Sequence, residues 1–134
     1  MRRASAIVAL ALALVPFAAR AGGADVIAAT AEPAGDGTYR VSATVRHADE
    51  GWDHYANAFE VLMPDGTLLG TRTLHHPHVD EQPFTRSLGG VRVPEGTSEV
   101  VVRAVDSVHG HGGSEVTVAL PDREPSDREP TDRQ

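Results

Sequence analysis

The chain has 134 residues, of which 40% are hydrophobic and 23% charged, a composition typical of one small globular domain with short extensions. Its formal net charge is −7, and all 12 basic residues are arginine. Such an acidic chain repels nucleic acid backbones and anionic membrane surfaces, which excludes them as favoured partners and makes cations better ones.

The N-terminal segment, residues 1–21, has the three parts of a secretory signal. Arg2 and Arg3 are followed by an apolar run from Ala6 to Phe17 and by the small-residue cleavage pattern at 19–21. The apolar run is too short to span a bilayer comfortably, and no second hydrophobic segment follows. We predict a periplasmic or secreted protein that begins near Gly22 and has no membrane insertion after signal cleavage.

Sulfur-containing residues are nearly absent. The sequence has no cysteine, which excludes disulfides, thiolate zinc sites and a lipid anchor on cysteine. Met63 is the only methionine that remains after removal of the signal, so a thioether-rich Cu(I) site is excluded as well. Stability is therefore expected to come from packing, helped by a bound ligand where one exists.

Seven segments between turn signals have the composition of β-strands, and no stretch has a convincing helical period. The second segment is the clearest, because Tyr39, Val41, Ala43 and Val45 alternate with polar residues. The predicted strands, in chain order, are 25–31, 38–47, 52–63, 68–74, 84–88, 98–106 and 114–120. Most of the turns between them are rich in glycine and proline.

The domain boundaries follow from a change in composition. Residues 22–120 are predicted to form the folded domain. Residues 121–134 are a near-repeat of Pro, Asp, Arg and Glu with no apolar residue but proline, which cannot bury enough surface to order itself. We predict a solvated tail, with a spacer or partner-docking peptide as the alternative.

The strand count and turn placement indicate an all-β fold, a seven-stranded antiparallel sandwich. Together with Trp52 at the start of the third predicted strand, this arrangement resembles the immunoglobulin and fibronectin type III class. The resemblance implies an immunoglobulin-like sandwich over about residues 24–120. It carries no functional residue, because this architecture hosts many functions and the Cys…Trp…Cys pattern of antibody domains is missing.

All seven histidines are predicted to lie at one end of this sandwich. Consecutive antiparallel strands alternate in direction, so the loops after the second, fourth and sixth strands share one pole. Those loops carry every histidine, and the turns of the other pole carry none. Neutral imidazole ligates Zn, Cu, Ni and Fe, and a carboxylate can complete or orient the set of ligands.

The spacing of these residues favours particular ligands. His109 and His111, separated by one residue on an extended segment, would point to one face, and His75 and His78 span a bend fixed by Pro77. The candidate metal ligands are His54, His75, His78, His109, His111 and Asp106. Asp53 is a further acceptor within reach.

Several residues of this pole also have plain structural interpretations. His54 is as well explained by packing beside Trp52 as by metal binding, and His47, at a strand end, is expected to be exposed. His76 is the least suited of the seven histidines to be a ligand. Phe84 is expected in the core, and Arg86 is expected to pair with Asp80, Glu81 or Asp106.

Catalysis finds little support in the sequence. No nucleophile elbow, His-Glu-x-x-His helix or glycine-rich phosphate loop is present, so we predict that the protein is not an enzyme. The predicted function is binding of a divalent transition metal, with a copper ion first and zinc as the alternative, because an unspecialised N/O site holds Cu²⁺ most tightly. The alternative function is a metal-free interaction domain that contacts an envelope protein partner.

Overall fold

The structure is a computed structural model that describes residues 23–122. These residues form seven β-strands and contain no helix long and apolar enough to cross a membrane. The strands are β1 (Asp25–Pro33), β2 (Tyr39–Arg46), β3 (Ala56–Leu62), β4 (Leu68–Thr73), β5 (Phe84–Val91), β6 (Glu99–Asp106) and β7 (Val116–Ala119).

The strands form two antiparallel sheets, in the order β1-β2-β5 and β4-β3-β6-β7. The predicted all-β sandwich with seven antiparallel strands is therefore confirmed, and β6 lies inside its sheet between β3 and β7 as its continuous β-branched run predicts. The chain changes sheet between β2 and β3, between β4 and β5, and again between β5 and β6.

The core lies between the sheets and is built by strict alternation. In β2 the residues at 39, 41, 43 and 45 are buried, while their neighbours are partly or fully exposed. In β6 the buried positions are 100, 102, 104 and 106. Phe59 of β3 and Phe84 of β5 are large core side chains that are almost completely buried, so the expectation that Phe84 is a core residue is confirmed.

The third strand is shorter than predicted. It begins at Ala56 instead of residue 52, and Trp52 is 67% exposed in the turn that precedes it. Gly51 has φ +88°, a left-handed conformation that turns the chain away from the strand. Trp52 packs edge-to-face on Tyr55, with ring centroids 5.7 Å apart, and it lies outside the core.

Two predictions fall outside the described residues. The first is the secretory signal at residues 1–21. The second is the solvated tail, of which residues 123–134 lie outside the described range. Of the tail, Pro121 and Asp122 are described, and the Tyr39 hydroxyl donates to the carbonyl of Pro121 over 2.9 Å.

The strand registers place three loops at one pole. Val45 pairs with Phe84, which brings the end of β2 beside the start of β5. Ala56 pairs with Asp106, which brings the start of β3 beside the end of β6. The loops 47–55, 74–83 and 107–115 therefore meet at one end of the sandwich, called here the histidine pole, because all seven histidines belong to them.

The third of these loops is docked on the start of β1 through a glycine. A Cβ on Gly113 would overlap the carbonyl group of Ala24 and lie 2.7 Å from Oδ1 of Asp25. Gly113→Ala is expected to lower the free energy of unfolding by about 1–3 kcal/mol, the usual cost of overpacking. Chemical denaturation of Gly113→Ala and of the unaltered protein would measure this change in the free energy of unfolding. Gly112→Ala is the matched control, since a Cβ there meets nothing within 4 Å, and equal stability of the two variants would contradict the prediction.

Candidate metal centre

The candidate centre lies at the ends of β2 and β6, where the alternation of buried residues in each strand stops. The inward parity of β2 continues past the strand to residue 47, and that of β6 ends at residue 106. His47 is 3% exposed and Asp106 is 1% exposed. Because β2 and β6 belong to opposite sheets, these two polar side chains meet across the end of the core. The expectation that His47 is exposed is therefore wrong.

His47 is held between two buried carboxylates. Its Nδ1 faces Oδ1 of Asp49, and its Nε2 faces Oδ2 of Asp106. Asp49 is fixed in turn by backbone groups, because its Oδ1 accepts the N–H of Ala56 over 3.1 Å and its Oδ2 accepts the N–H of His78 over 2.6 Å. The orientation of the His47 ring is thus set on both sides.

Asp106 divides its two oxygens between backbone and rings. Oδ1 accepts the N–H groups of Val108 at 2.6 Å and His109 at 2.9 Å, while Oδ2 faces the rings of His47 and His54. Burial raises the pKa of Asp106, but the two backbone donors and the two rings outweigh it, so the pKa lies below its usual value. Asp106 is therefore a carboxylate at neutral pH.

His54 comes from the loop between β2 and β3. Its Nε2 lies 2.7 Å from Oδ2 of Asp106, and its Nδ1 lies 3.6 Å from Oε1 of Glu50. The N–H of Glu50 donates to the carbonyl of His54 over 2.8 Å, which closes this loop. The rings of His47 and His54 meet edge-to-face with centroids 4.8 Å apart.

These three side chains could hold one metal ion. One ligand atom from each of His47, His54 and Asp106 lies within 4.8 Å of the others. Metal–nitrogen bonds near 2.0–2.1 Å allow two ligand atoms to lie up to about 4.2 Å apart, so small side-chain rotations would suffice. We call this set the His47–His54–Asp106 cluster.

The predicted ligands divide into those near the cluster and those apart from it. His54 and Asp106 belong to it, and the ring of His109 contacts that of His54 with centroids 5.1 Å apart. His75 and His111 are exposed in their loops, and no hydrogen bond or ring contact joins either to the cluster within residues 23–122. Asp53 is also exposed, and no contact of this kind involves it in the same range.

His78 lies in a separate environment beside the cluster. It is 5% exposed and stacks on Phe84, with ring centroids 3.9 Å apart, and the centroid of the His76 ring lies 4.6 Å from that of His78. Arg86 donates to its Nε2 over 3.1 Å and also pairs with Glu81 at 3.2 Å, as expected of Arg86. Burial, then Arg86 and His76, lower the pKa of His78. A neutral imidazole that accepts from arginine has no lone pair left for a cation.

Comparisons with known proteins add one relative. A protein of Halomicrobium mukohataei named "Putative lipoprotein" is 43% identical over 95 residues, which are 71% of this chain and 46% of the relative. The chain thus spans about half the length of the relative. No family model and no solved structure matches the chain, so the likeness to immunoglobulin and fibronectin type III domains is one of architecture alone.

Proposed function

We propose that this protein is an exported, envelope-associated β-sandwich that binds a divalent transition metal at the His47–His54–Asp106 cluster. One observation carries the proposal. Each of two imidazoles turns its Nε2 to the same carboxylate oxygen and its Nδ1 to a different carboxylate. Metal-bound histidines characteristically donate the N–H of their second ring nitrogen to a carboxylate, as Nδ1 of His47 is placed to do toward Asp49.

The number of available hydrogens supports a cation at this point. A neutral imidazole has a hydrogen on one ring nitrogen, so it can donate to one carboxylate and not to two. With a metal between Nε2 of His47, Nε2 of His54 and Oδ2 of Asp106, each ring would offer its lone pair to the ion. The Nδ1 hydrogen of His47 would then be donated to Asp49, and Nδ1 of His54 would face Glu50, whose Oε1 lies 3.6 Å away.

Copper is the first choice of metal and zinc the second. Two imidazole nitrogens and one carboxylate oxygen form a borderline N/O donor set, which holds Cu²⁺ most tightly among first-row divalent ions. Zinc accepts the same donors at similar bond lengths. The role we propose is holding or transferring the ion, because the described residues offer no nucleophile placed against the cluster.

Export and envelope association rest on the sequence and on the relative. Residues 1–21 have the pattern of a secretory signal, and the name of the relative is that of a lipoprotein. The name of the relative supports association with the cell envelope and nothing more specific.

A second candidate function is a metal-free interaction domain, and one surface feature favours it. Exposed large hydrophobic residues stand on each of the three loops of the histidine pole, namely Trp52, Val79 and Val108. Exposed apolar groups gathered at one end are typical of a contact surface for another protein. In this alternative the buried histidines and aspartates serve only to fix the loops.

Direct metal titration tests the proposal. The purified protein is expected to bind one Cu²⁺ or Zn²⁺ ion per chain at neutral pH in calorimetric titration. Because protons compete for the imidazole nitrogens, affinity should fall steeply below the ordinary histidine pKa of about 6.5. Binding is also expected to release protons, measurable as a dependence of the binding heat on the buffer.

The control for this titration is His75→Ala, which removes an exposed imidazole of the same pole and leaves the cluster intact. Its affinity should equal that of the unaltered protein. Absence of binding by both metals at pH 7.5, or an affinity that does not change down to about pH 5, would contradict the proposal and favour the interaction domain.

A further inference from the structure

We infer that His109 is the fourth ligand of this centre and the first one that an incoming metal ion meets. The inference rests on the proposed function and adds to it a residue and a route. It is carried by the backbone of the loop after β6, by the position of the His109 ring and by the gradient of exposure across the cluster.

The backbone of His109 is fixed against the carboxylate that faces the metal. Its N–H donates to Oδ1 of Asp106 over 2.9 Å, and Asp106 and Gly110 exchange two backbone hydrogen bonds of 2.8 and 2.9 Å. Gly110 has φ +69°, the left-handed conformation that closes this tight turn. The backbone of His109 is therefore held beside Asp106, which belongs to the cluster.

The ring itself already lies at the open side of the cluster. It meets the His54 ring edge-to-face at 73°, with centroids 5.1 Å apart. His47, His54 and Asp106 supply two nitrogens and one oxygen, one ligand fewer than the four that zinc and copper sites commonly have. The imidazole of His109 would complete a set of three nitrogens and one oxygen.

Exposure indicates the direction from which an ion would arrive. The side chains of His47 and Asp106 are 1% and 0% exposed, that of His54 is 17% exposed, and His109 is an exposed residue. An ion from solvent would first meet His109 and His54, and it would then contact the two buried ligands. His109 is therefore expected to govern both capture and release of the metal.

His111 provides a matched control on the same loop. It is an exposed histidine two positions further along, and it lies beyond Gly110. No ring contact or hydrogen bond links it to the cluster within residues 23–122. Any general effect of losing a surface imidazole from this loop would appear equally in His109→Ala and His111→Ala.

The experiment compares Cu²⁺ binding by the unaltered protein, His109→Ala and His111→Ala. Affinity is measured by competition with a chromophoric chelator, and bound imidazole nitrogens are counted by pulsed electron paramagnetic resonance. His109→Ala is expected to weaken binding by about tenfold or more, the lower end of what the loss of a supporting group costs a metal site. The number of coupled imidazoles should fall from three to two, and release to excess chelator should become faster. His111→Ala should match the unaltered protein in all three readouts.

Each other result overturns the inference in a distinguishable way. If the unaltered protein binds Cu²⁺ with two coupled imidazoles and His109→Ala leaves affinity unchanged, the fourth ligand is wrong and the proposed function stands. If His109→Ala and His111→Ala weaken binding equally, the effect belongs to the loop and not to His109. If the unaltered protein binds no metal, the proposed function fails and the inference fails with it. Thermal unfolding of both variants, and His109→Gln as a second substitution, guard against misfolding.

Discussion

Replacement of Asp106 by alanine is expected to lower the free energy of unfolding by about 3–5 kcal/mol, the range seen when one partner of a buried ion pair is removed. The carboxylate accepts hydrogen bonds from two backbone N–H groups and faces two histidine rings, so its loss would leave four polar groups without this acceptor. Denaturant unfolding of the metal-free protein would measure the change.

Asp65→Ala is a suitable comparison for this result. The side chain of Asp65 also accepts a backbone N–H two residues on, from Thr67 over 2.9 Å, but at an exposed turn of the opposite pole. Its removal should cost far less than removal of Asp106. Similar losses in the two variants would show that Asp106 only closes a turn.

Asp106→Asn separates the structural contribution from metal binding. The amide oxygen can still accept the two backbone N–H groups, and the amide hydrogens can point to the Nε2 atoms of His47 and His54 when these rings are neutral. We expect most of the stability of the metal-free protein to remain at neutral pH. Metal affinity should be lost, because an amide nitrogen replaces the carboxylate oxygen. A variant that is stable and still binds metal normally would contradict our assignment of Asp106 as a ligand.

Acid would act on this residue in a defined direction. The pKa of Asp106 is lowered in the folded protein, so its contribution to stability is fully present above the unfolded pKa of about 3.9 and is lost as pH falls through the folded value. Asp106→Asn should lack this part of the acid dependence.

The strands could be predicted from the sequence because each sheet has one buried face. The alternation at 38–47 predicts β2 to within one residue at each end, and the run at 98–106 predicts β6 equally well. Hydrophobic alternation has a period of two, so a shift by one residue would expose the whole core face. The pole that carries the histidines follows from the same argument, since antiparallel strands fix which loops lie together.

The buried part of the centre could have been predicted, but only by extending that alternation into the loop. Positions 45, 47 and 49 share the inward parity of β2, and all three are buried. The position of His47 at a strand end predicts exposure, because polar residues there are usually exposed. Asp49 stands in a loop of polar residues, whose composition does not indicate burial. The pattern that predicts this burial is the alternation of β2, which continues for three residues beyond the end of the strand.

The orientation of the loop side chains could not be predicted from spacing. The spacing of His75 and His78 predicts that both are ligands, yet stacking on Phe84 and the hydrogen bond from Arg86 direct His78 to another environment. The strand predicted over 52–63 includes Trp52, whereas the left-handed Gly51 holds this residue in a turn. The first outcome depends on side-chain contacts with β5, and the second depends on the backbone conformation of one glycine.

Metal binding is expected to raise the melting temperature strongly, and His54→Ala is expected to abolish most of that increase. An ion that binds only the folded state stabilises it by about 2.7 kcal/mol at 100 times its dissociation constant and by about 4.1 kcal/mol at 1,000 times. For a domain of roughly 100 residues, each kcal/mol raises the melting temperature by about 4–8 °C. Cu²⁺ or Zn²⁺ should therefore shift the transition by at least about 10 °C.

His54 is the ligand best suited to this test because its side chain is partly exposed and lies at the edge of the core, unlike the enclosed His47. Its truncation leaves the contact of Asp106 with His47 in place, so the metal-free variant should still unfold cooperatively. His75→Ala should keep the full metal-induced shift, since His75 is exposed and apart from the cluster. An undiminished shift in His54→Ala would locate the metal elsewhere. No shift in the unaltered protein at saturating metal would leave the cluster as a hydrogen-bonded network that only fixes the loops, because any ion bound specifically to the folded state must stabilise it by mass action.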